Sequence, residues 1–451
     1  MCGICGFVSR DTEEILARMT SVIAHRGPDD SGMYLSAPNE VGVRAGLGSR
    51  RLAILDLSPA GHMPMSNPER TLWITYNGEV YNYPQLRQEL ETKGYRFRSN
   101  SDTEAILYLY QSEGPDCIRR LNGMFAIAIW DSLRGQLFLA RDHFGIKPVY
   151  YVQQPNRFAF ASEIKALLEL PDCPRRLSLE ALHQYLTFLW IPDPLTMFEG
   201  IYKLPAGHYA LVKDGRLQLV EYWDLTFPPA DQPFASSEAE LADELRRRFT
   251  RTVKMQLLSD VPLGAFLSAG LDSSSIVAAM AQVSSEPVRT YTISFPPHYR
   301  MGETTLDDTA AAARTAAHFG CQHTEILVEP DVVSLLPKLV WNMDEPVADP
   351  AIITAYLVSR EARKTVTVLL SGVGGDELFA GYRKYRAHYL ARRYQRLPAV
   401  LRRSLLEPLI LSLPTLRGTP AKGIVRLAKK MARSGSLPPE DRFITDGVYL
   451  S

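Results

Sequence analysis

Cysteine is scarce in this chain. The five present, Cys2, Cys5, Cys117, Cys173 and Cys321, are an odd number spread over 451 residues, which argues against a disulfide framework and fits a reducing, cytoplasmic setting. An excess of one charge is missing too. The 50 Lys+Arg residues balance the 50 Asp+Glu residues without a long single-sign run, so no general affinity for nucleic acid or an acidic membrane is expected. No stretch approaches the roughly 20 apolar residues of a membrane span, and the start lacks a basic segment followed by an apolar one. Cys2 and Cys5 spell C-x-x-C, but no second C-x-x-C or H-x-x-x-H offers two more zinc ligands. Glycines follow both cysteines, where a thioredoxin-like motif would sit between a strand and a helix. Partners are therefore expected among small molecules and other protein surfaces.

What is there is a soluble-type composition, 46% hydrophobic, in a chain long enough for two or three domains. The two halves follow different patterns. Up to about residue 215, short apolar, aromatic-rich segments alternate with turns: LWITYNGEVYNY (72–83), MFAIAIW (124–130), QLFLARD (136–142), VYYV (149–152) and FAFAS (158–162). These predict antiparallel sheets with few long helices. From about residue 236 strand alternates with helix, which predicts a doubly wound parallel sheet. The proline-rich stretch between them predicts a linker over 217–235, dividing the chain into domains 1–216 and 236–451.

The opening MCGICGF places a thiol directly behind the initiator. Removal of Met1 would leave Cys2 with a free α-amine whose ordinary pKa is near roughly 8, so one residue supplies nucleophile and base. Such a thiol attacks an amide only with donors for the oxyanion and a clamp for the substrate. Asn77 and Gly78, at a strand-to-turn position, are candidate oxyanion donors. Arg51 suits a carboxylate and Asp102 an ammonium group, and a molecule carrying carboxylate, ammonium and primary amide is glutamine. Each residue alone has an ordinary alternative: Asn-Gly as a turn, Asp102 as a helix cap, Arg51 as a surface ion pair.

The combination resembles the class II glutamine amidotransferases. Cys-Gly-Ile at the start, HRGPDDSG (25–32), the segment 51–56, NGEVYNY (77–83), SDTE (101–104), ARDHFGIKPVYY (140–151) and FASEIKAL (160–167) run in that family's order. The resemblance implies an α+β domain of N-terminal nucleophile type, its antiparallel sheets sandwiched by helices. It also implies that Cys2 is the nucleophile, Asn77 and Gly78 the oxyanion hole, and Arg51, Asn77, Glu79 and Asp102 the glutamine pocket.

In the second half, FLSAGLDSSS (266–275) reads as strand, small-residue loop and helix start, a build that aims N–H groups and hydroxyls at phosphates. No G-K-[ST] follows, so it is not a Walker A loop, and it suits an enzyme in which pyrophosphate leaves. LLSGVGGDELFAGY (369–382) supplies a second glycine-rich strand end, and Asp272 and Asp376 are candidate ligands for one magnesium. This pair of loops behind the first domain resembles glutamine-hydrolysing asparagine synthetases, whose second domain is of ATP-pyrophosphatase type. The likeness implies ATP contacts from Leu267, Ile293, Ser371 and Gly372, and pyrophosphate contacts over Ser268, Gly270, Asp272, Ser273 and Ser274. ATP, Mg2+, glutamine and a carboxylate acceptor, aspartate in the family's principal member, are the expected ligands, and a homodimer is compatible.

Two features depart from that pattern. Val373 stands where these synthetases usually carry glutamate, and Ala269 replaces a common glycine. The chain also ends at DRFITDGVYLS, ahead of the lysine-bearing stretch with which relatives hold the acceptor, so a truncated second domain is expected. An amidotransferase for another carboxylate, or a glutamine-binding assembly subunit, are the rival readings. The basic segments KYRAHYLARRYQRL and KGIVRLAKKMA are expected as solvated helix faces.

Overall fold

The computed structural model describes residues 1–229, 236–296, 308–329, 331–414 and 421–447. Its first half contains twelve strands: β1 (Gly3–Ser9), β2 (Asp30–Leu35), β3 (Arg44–Arg51), β4 (Met65–Ser66), β5 (Leu72–Val80), β6 (Gly123–Asp131), β7 (Gln136–Arg141), β8 (Tyr150–Gln154), β9 (Arg157–Ala161), β10 (Ile201–Lys203), β11 (His208–Lys213) and β12 (Arg216–Glu221). They form two six-stranded antiparallel sheets, ordered β10-β8-β9-β1-β3-β2 and β12-β11-β7-β6-β5-β4.

The continuous apolar run of β6 has a simple cause, since successive side chains point to opposite faces and both faces are covered. Ala126, Ala128 and Trp130 meet Ile4, Ala45 and Leu47 of the other sheet. Phe125, Ile127 and Ile129 meet a helical layer that includes Leu107 and Leu109. Outside the first sheet, Phe7 packs with Leu16, Met19 and Ile164. Helix, sheet, sheet and helix therefore stack in four layers, as the resemblance implied.

Among the described residues of the first half, only four helices reach ten residues. They span Glu13–Val22, Tyr83–Thr92, Asp102–Glu113 and Leu179–Phe188. In the third, every residue from Asp102 to Tyr110 is buried, so no polar face marks a helical period in the sequence. Ser101 caps it, accepting from Thr103 N–H at 3.1 Å, and Asp102 is its first residue. Residues 217–221, expected in the linker, instead form most of β12 and extend the second sheet. Tyr222 continues that packing and donates its hydroxyl to the Arg141 carbonyl at 2.9 Å. Residues 230–235 of the expected linker lie outside the described residues.

The second half carries a four-stranded parallel sheet, β13 (Leu263–Phe266), β14 (Arg289–Ser294), β15 (Gln322–Leu327) and β16 (Val368–Leu370), ordered β15-β14-β13-β16. The chain moves outward from β13 to β15 and then returns to β16 on the other side, so the strand order reverses between β13 and β16. A helix over Glu238–Gln256 leads into this sheet, opened by a reciprocal capping box between Ser237 and Glu240. The alternation expected of a doubly wound sheet is present, although residues 365–372 contribute only three to the strand.

Leu139 lies fully buried between the two first-half sheets. Leu139→Ala removes side-chain volume from a layer held by twelve strands, which can collapse only partly, and is expected to cost about 2–5 kcal/mol. Urea unfolding of the variant checks this, read as a lowered midpoint at unchanged slope.

Candidate active site

Cys2 enters β1, and β1 is paired on both edges: Gly3 opposite Arg50 of β3, Cys5 opposite Ala161 of β9. Just beyond β9, Ser162 clasps the same strand, its hydroxyl accepting from Ile4 N–H at 3.0 Å and its N–H donating to the Ile4 carbonyl at 2.8 Å. Arg26 donates from Nε to the Cys2 carbonyl at 2.9 Å. The Cys2 thiol accepts from Leu52 N–H at 3.4 Å. Burial pushes that thiol's pKa up, and the Leu52 N–H opposes the shift. Burial also lowers the Met1 α-amine to about 5, against the pull of Cys2.

Asn77 and Gly78 sit side by side near the end of β5, opposite Ala126 and Phe125 of β6. Thr75, two residues earlier, donates to the Gly48 carbonyl at 3.2 Å and ties β5 to the other sheet. Asn77 is 1% exposed, yet its Nδ2 has no hydrogen-bond partner among the described residues. A buried amide N–H left unpaired costs free energy that a substrate oxygen would recover. Gly78 must be glycine, because a Cβ would stand 2.3 Å from the Met124 carbonyl oxygen and 2.8 Å from Phe125 Cα.

Around this pair lie charged groups that burial would normally expel. Asp102 is buried and accepts from the Tyr76 hydroxyl at 2.8 Å and from Val80 N–H at 2.9 Å. Burial raises its pKa even so. Burial, and then the nearby Asp102, push Glu79 well above the ordinary carboxylate range, with Lys147 pulling the other way. Lys147 is itself buried, and burial lowers its pKa against the attraction of Glu79. Arg51 is buried and turned into its own loop, donating to the carbonyls of Leu55 at 3.0 Å, Asp56 at 2.5 Å and Ser58 at 3.4 Å.

The structure thus gathers Cys2, Glu79 and Arg51 into one electrostatic neighbourhood, with Asp102 acting on Glu79. Sequence reasoning gave no role to Arg26, Lys147, Glu163 or Lys165. The signal was in view, since Arg26 belongs to HRGPDDSG, Lys147 to ARDHFGIKPVYY, and Glu163 and Lys165 to FASEIKAL.

The second site lies at the carboxyl ends of β13 and β16, at the point of strand reversal where open α/β sheets hold ligands. Gly270 caps the helix Leu271–Val283. The Ser268 and Ser273 hydroxyls meet at 2.9 Å, Ser273 Oγ accepts from Ser268 N–H at 3.1 Å, and the Ser274 hydroxyl donates to the Gly270 carbonyl at 2.9 Å. Leu267 is buried, and its N–H donates to the Tyr291 carbonyl at 2.9 Å. The loop after β16 lies directly on this turn, since a Cβ on Gly372 would be 2.7 Å from Ser273 N and one on Gly375 would be 2.6 Å from Asp272 Oδ2. Ser371 Oγ accepts from Val373 N–H at 3.4 Å, and the Val373 side chain is 92% exposed. Ile293 is placed differently, packed with the apolar cluster of Tyr291 and Ile326.

Asp376 follows Gly375, which lies against Asp272, so the two acids stand on adjoining loops at this junction. Their hard oxygen donors suit magnesium. Among the described residues no three His, Cys, Asp or Glu groups converge on a metal cage, so phosphate and water oxygens would complete the shell.

The amino-acid sequence matches two family models, a glutamine amidotransferase domain over residues 1–223 and asparagine synthase over residues 244–442. It is 36% identical over 453 residues to asparagine synthetase [glutamine-hydrolyzing] 1 of Bacillus subtilis, covering 98% of this chain and 67% of that protein. The chain belongs to the glutamine-hydrolysing asparagine synthetase family. A putative asparagine synthetase [glutamine-hydrolyzing] 2 of Methanocaldococcus jannaschii is 35% identical, covering 89% of this chain and 79% of that one. Amidase chry2 of Gibberella zeae is 31% identical, covering 89% and 62%. The two matched regions coincide with the two sites, one in each half.

Glu163 lies behind Cys2 and accepts from Arg26 Nη1 at 2.9 Å, with His25 Nε2 at 3.0 Å and Lys165 Nζ against its carboxylate. Burial alone would raise its pKa, but bonds from His25, Arg26 and Lys165 bring it down to about 2. A carboxylate held lower in the folded chain than its free value of 4.5 stabilises the fold above that value, and the contribution fades as pH falls through about 2. Glu163→Gln is therefore expected to be less stable than the parent chain at pH 6, with the difference narrowing below about pH 4.5. Urea unfolding of both proteins across that range checks it.

Proposed function

We propose that this chain is a glutamine-dependent, ATP-driven amide synthetase, and that the acceptor is aspartate, giving asparagine with glutamate, AMP and pyrophosphate. The observation that carries the first half-reaction is the buried, unpartnered Nδ2 of Asn77 beside Gly78.

With Met1 removed, the α-amine belongs to Cys2 and takes the thiol proton as sulfur attacks the glutamine side-chain carbonyl. Asn77 Nδ2 and the Gly78 N–H receive the oxyanion. As that intermediate collapses, the α-ammonium returns its proton to the leaving nitrogen, the carbon–nitrogen bond breaks and ammonia departs; water, giving a proton to the amine, then cleaves the thioester to glutamate and the free thiol. Asp102 is the partner for the substrate ammonium, and its buried setting makes that pairing strong. Arg51 and Glu79 complete the pocket, with Arg51 acting partly through the loop it holds.

In the second half Leu267, Ser268, Gly270, Ser273, Ser274, Ser371 and Gly372 form the ATP cleft. The acceptor carboxylate attacks the α-phosphorus, pyrophosphate leaves, and ammonia displaces AMP from the acyl-adenylate. Asp272 and Asp376 would hold Mg2+, which offsets triphosphate charge when bound. Ammonia must pass between the halves without meeting bulk water, where protonation would remove its nucleophilic lone pair. A second reading, that another carboxylate is the acceptor, rests on the apolar, exposed Val373 at the mouth of this cleft and on an amidase among the relatives.

Cys2→Ala is expected to abolish glutamate release from glutamine while leaving ammonia-supported amide synthesis. Asn77→Ala is expected to lower kcat for glutamine hydrolysis by about 10²–10³ with a smaller change in KM. Glutamate release by Cys2→Ala would overturn the nucleophile. For the second site, AMP release is measured with aspartate and a panel of other carboxylates. Stimulation by aspartate, lost in Asp272→Asn, supports the proposed acceptor, and stimulation by a different carboxylate alone supports the second reading.

A further inference from the structure

Beneath the thiol site runs a chain of buried charges that the amidohydrolase chemistry does not use, and it ends in the other half of the molecule. Arg26 Nε donates to the Cys2 carbonyl at 2.9 Å, and Arg26 Nη1 to Glu163 at 2.9 Å. Lys165 Nζ bridges Glu163 and Asp344, reaching Asp344 Oδ1 at 2.8 Å. Asp344 also accepts from the N–H of Ile164 at 2.5 Å and of Lys165 at 3.4 Å, and so satisfies the start of the short helix Ile164–Leu167. Trp341, from the helix that precedes Asp344, lies under the ammonium of Lys165 at 5.4 Å. Lys165 and Glu163 are each 4% exposed.

Asp344 belongs to the second half and everything it grips belongs to the first. Its backbone has a φ of 63°, the left-handed region that favours glycine, so an acidic side chain is kept where the turn alone would be easier without one. Buried charges are held in place by their partners, because an unpaired one is far more costly than a paired one. Arg26 and His25 meet one oxygen of Glu163, while Lys165 meets the other and Asp344. Without the Asp344 charge, Lys165 has Glu163 as its remaining carboxylate and competes with Arg26 for it.

We propose that Asp344 is a positioning residue for the thiol chemistry of the other half, holding the Cys2 carbonyl in place through Lys165, Glu163 and Arg26. Glutamine hydrolysis is thereby tied to docking of the ATP-binding half. The inference rests on the reading of Cys2 as the nucleophile. Asparagine tolerates the same backbone, so Asp344→Asn removes charge and leaves the turn.

Steady-state glutamine hydrolysis is measured on the full chain for the parent, Asp344→Asn, Lys165→Met and the double variant, together with thermal midpoints and the rate at which iodoacetamide alkylates Cys2, Cys2→Ala serving as the blank. Asp344→Asn is expected to lower kcat about tenfold with KM within about twofold, because the thiol is displaced and the glutamine clamp is not. The double variant is expected to lose no more than the worse single one, as residues acting in series do. Cys2 alkylation is expected to rise roughly threefold as the thiol loosens. An unchanged kcat in Asp344→Asn overturns the proposal. So do losses that multiply in the double variant, or a kcat loss accompanied by a matching rise in KM and a fall in thermal midpoint. If the parent chain leaves glutamine intact, the amidohydrolase reading falls, and the alkylation rates still decide whether Asp344 positions Cys2.

Discussion

The nucleophile proposed here stands at a chain terminus, where it is useful only if the terminus is held, and a chain end is the part of a protein with the fewest covalent restraints. Here β1 supplies the restraint. It lies inside a six-stranded sheet with β9 on one edge and β3 on the other, so backbone bonds immobilise the chain one residue after Cys2. The Ser162 clasp at Ile4 and the Arg26 bond to the Cys2 carbonyl fix what the ladder does not reach. Remove that double-sided pairing and the thiol, the amine and the Leu52 contact have no common frame.

The second constraint is the narrow layer between the two sheets. Alanines at 126 and 128 of β6 and at 45 of β3 line that layer and let the sheets approach closely. The close approach puts β5 beside the strands that carry Cys2, as the Thr75 bond to Gly48 shows. Gly78 is obligatory for a separate reason, since β6, its ladder partner in the same sheet, leaves no room for a side chain there. Charged groups buried around β5 lose their hydration, which is why Glu79 and Asp102 shift up and Lys147 shifts down, against the attraction between Glu79 and Lys147.

Most of this was legible in the sequence because the chemistry-bearing residues sit in short contiguous motifs, each on one turn or strand end. NGE is the end of β5, SDTE is the start of a helix, and FLSAGLDSSS is the turn after β13. The helix over Asp102–Glu113 was harder to read, because complete burial erases the polar face that gives a helix its period. The segment Arg216–Glu221 reads as linker in the sequence because it is an edge strand with a largely exposed, polar character. Ile293 shows the limit of carrying a role by likeness, since in this chain it packs with the core beneath the sheet. Arg26, Glu163 and Lys165 lie within recognisable motifs, but what ties them together does not, because the decisive partners are distant in sequence: Arg26 to Glu163 spans 137 residues and Ile164 to Asp344 spans 180.

The contacts that join the two halves are lopsided in chemistry. Asp260, Asp344 and Glu345 of the second half reach into the first and accept from the backbone N–H groups of Asp56, Ile164 and Met197, while Lys165 and Lys203 face Asp344 and Glu345. Burying charge in this way returns little net stability, because desolvation consumes much of the attraction. What it does supply is registry. An apolar patch tolerates sliding, whereas a carboxylate that satisfies one N–H and one ammonium has a single low-energy position. On the function proposed above, two sites that pass ammonia from one to the other need that fixed register more than they need a tight interface, and the acids of the second half are placed to give it.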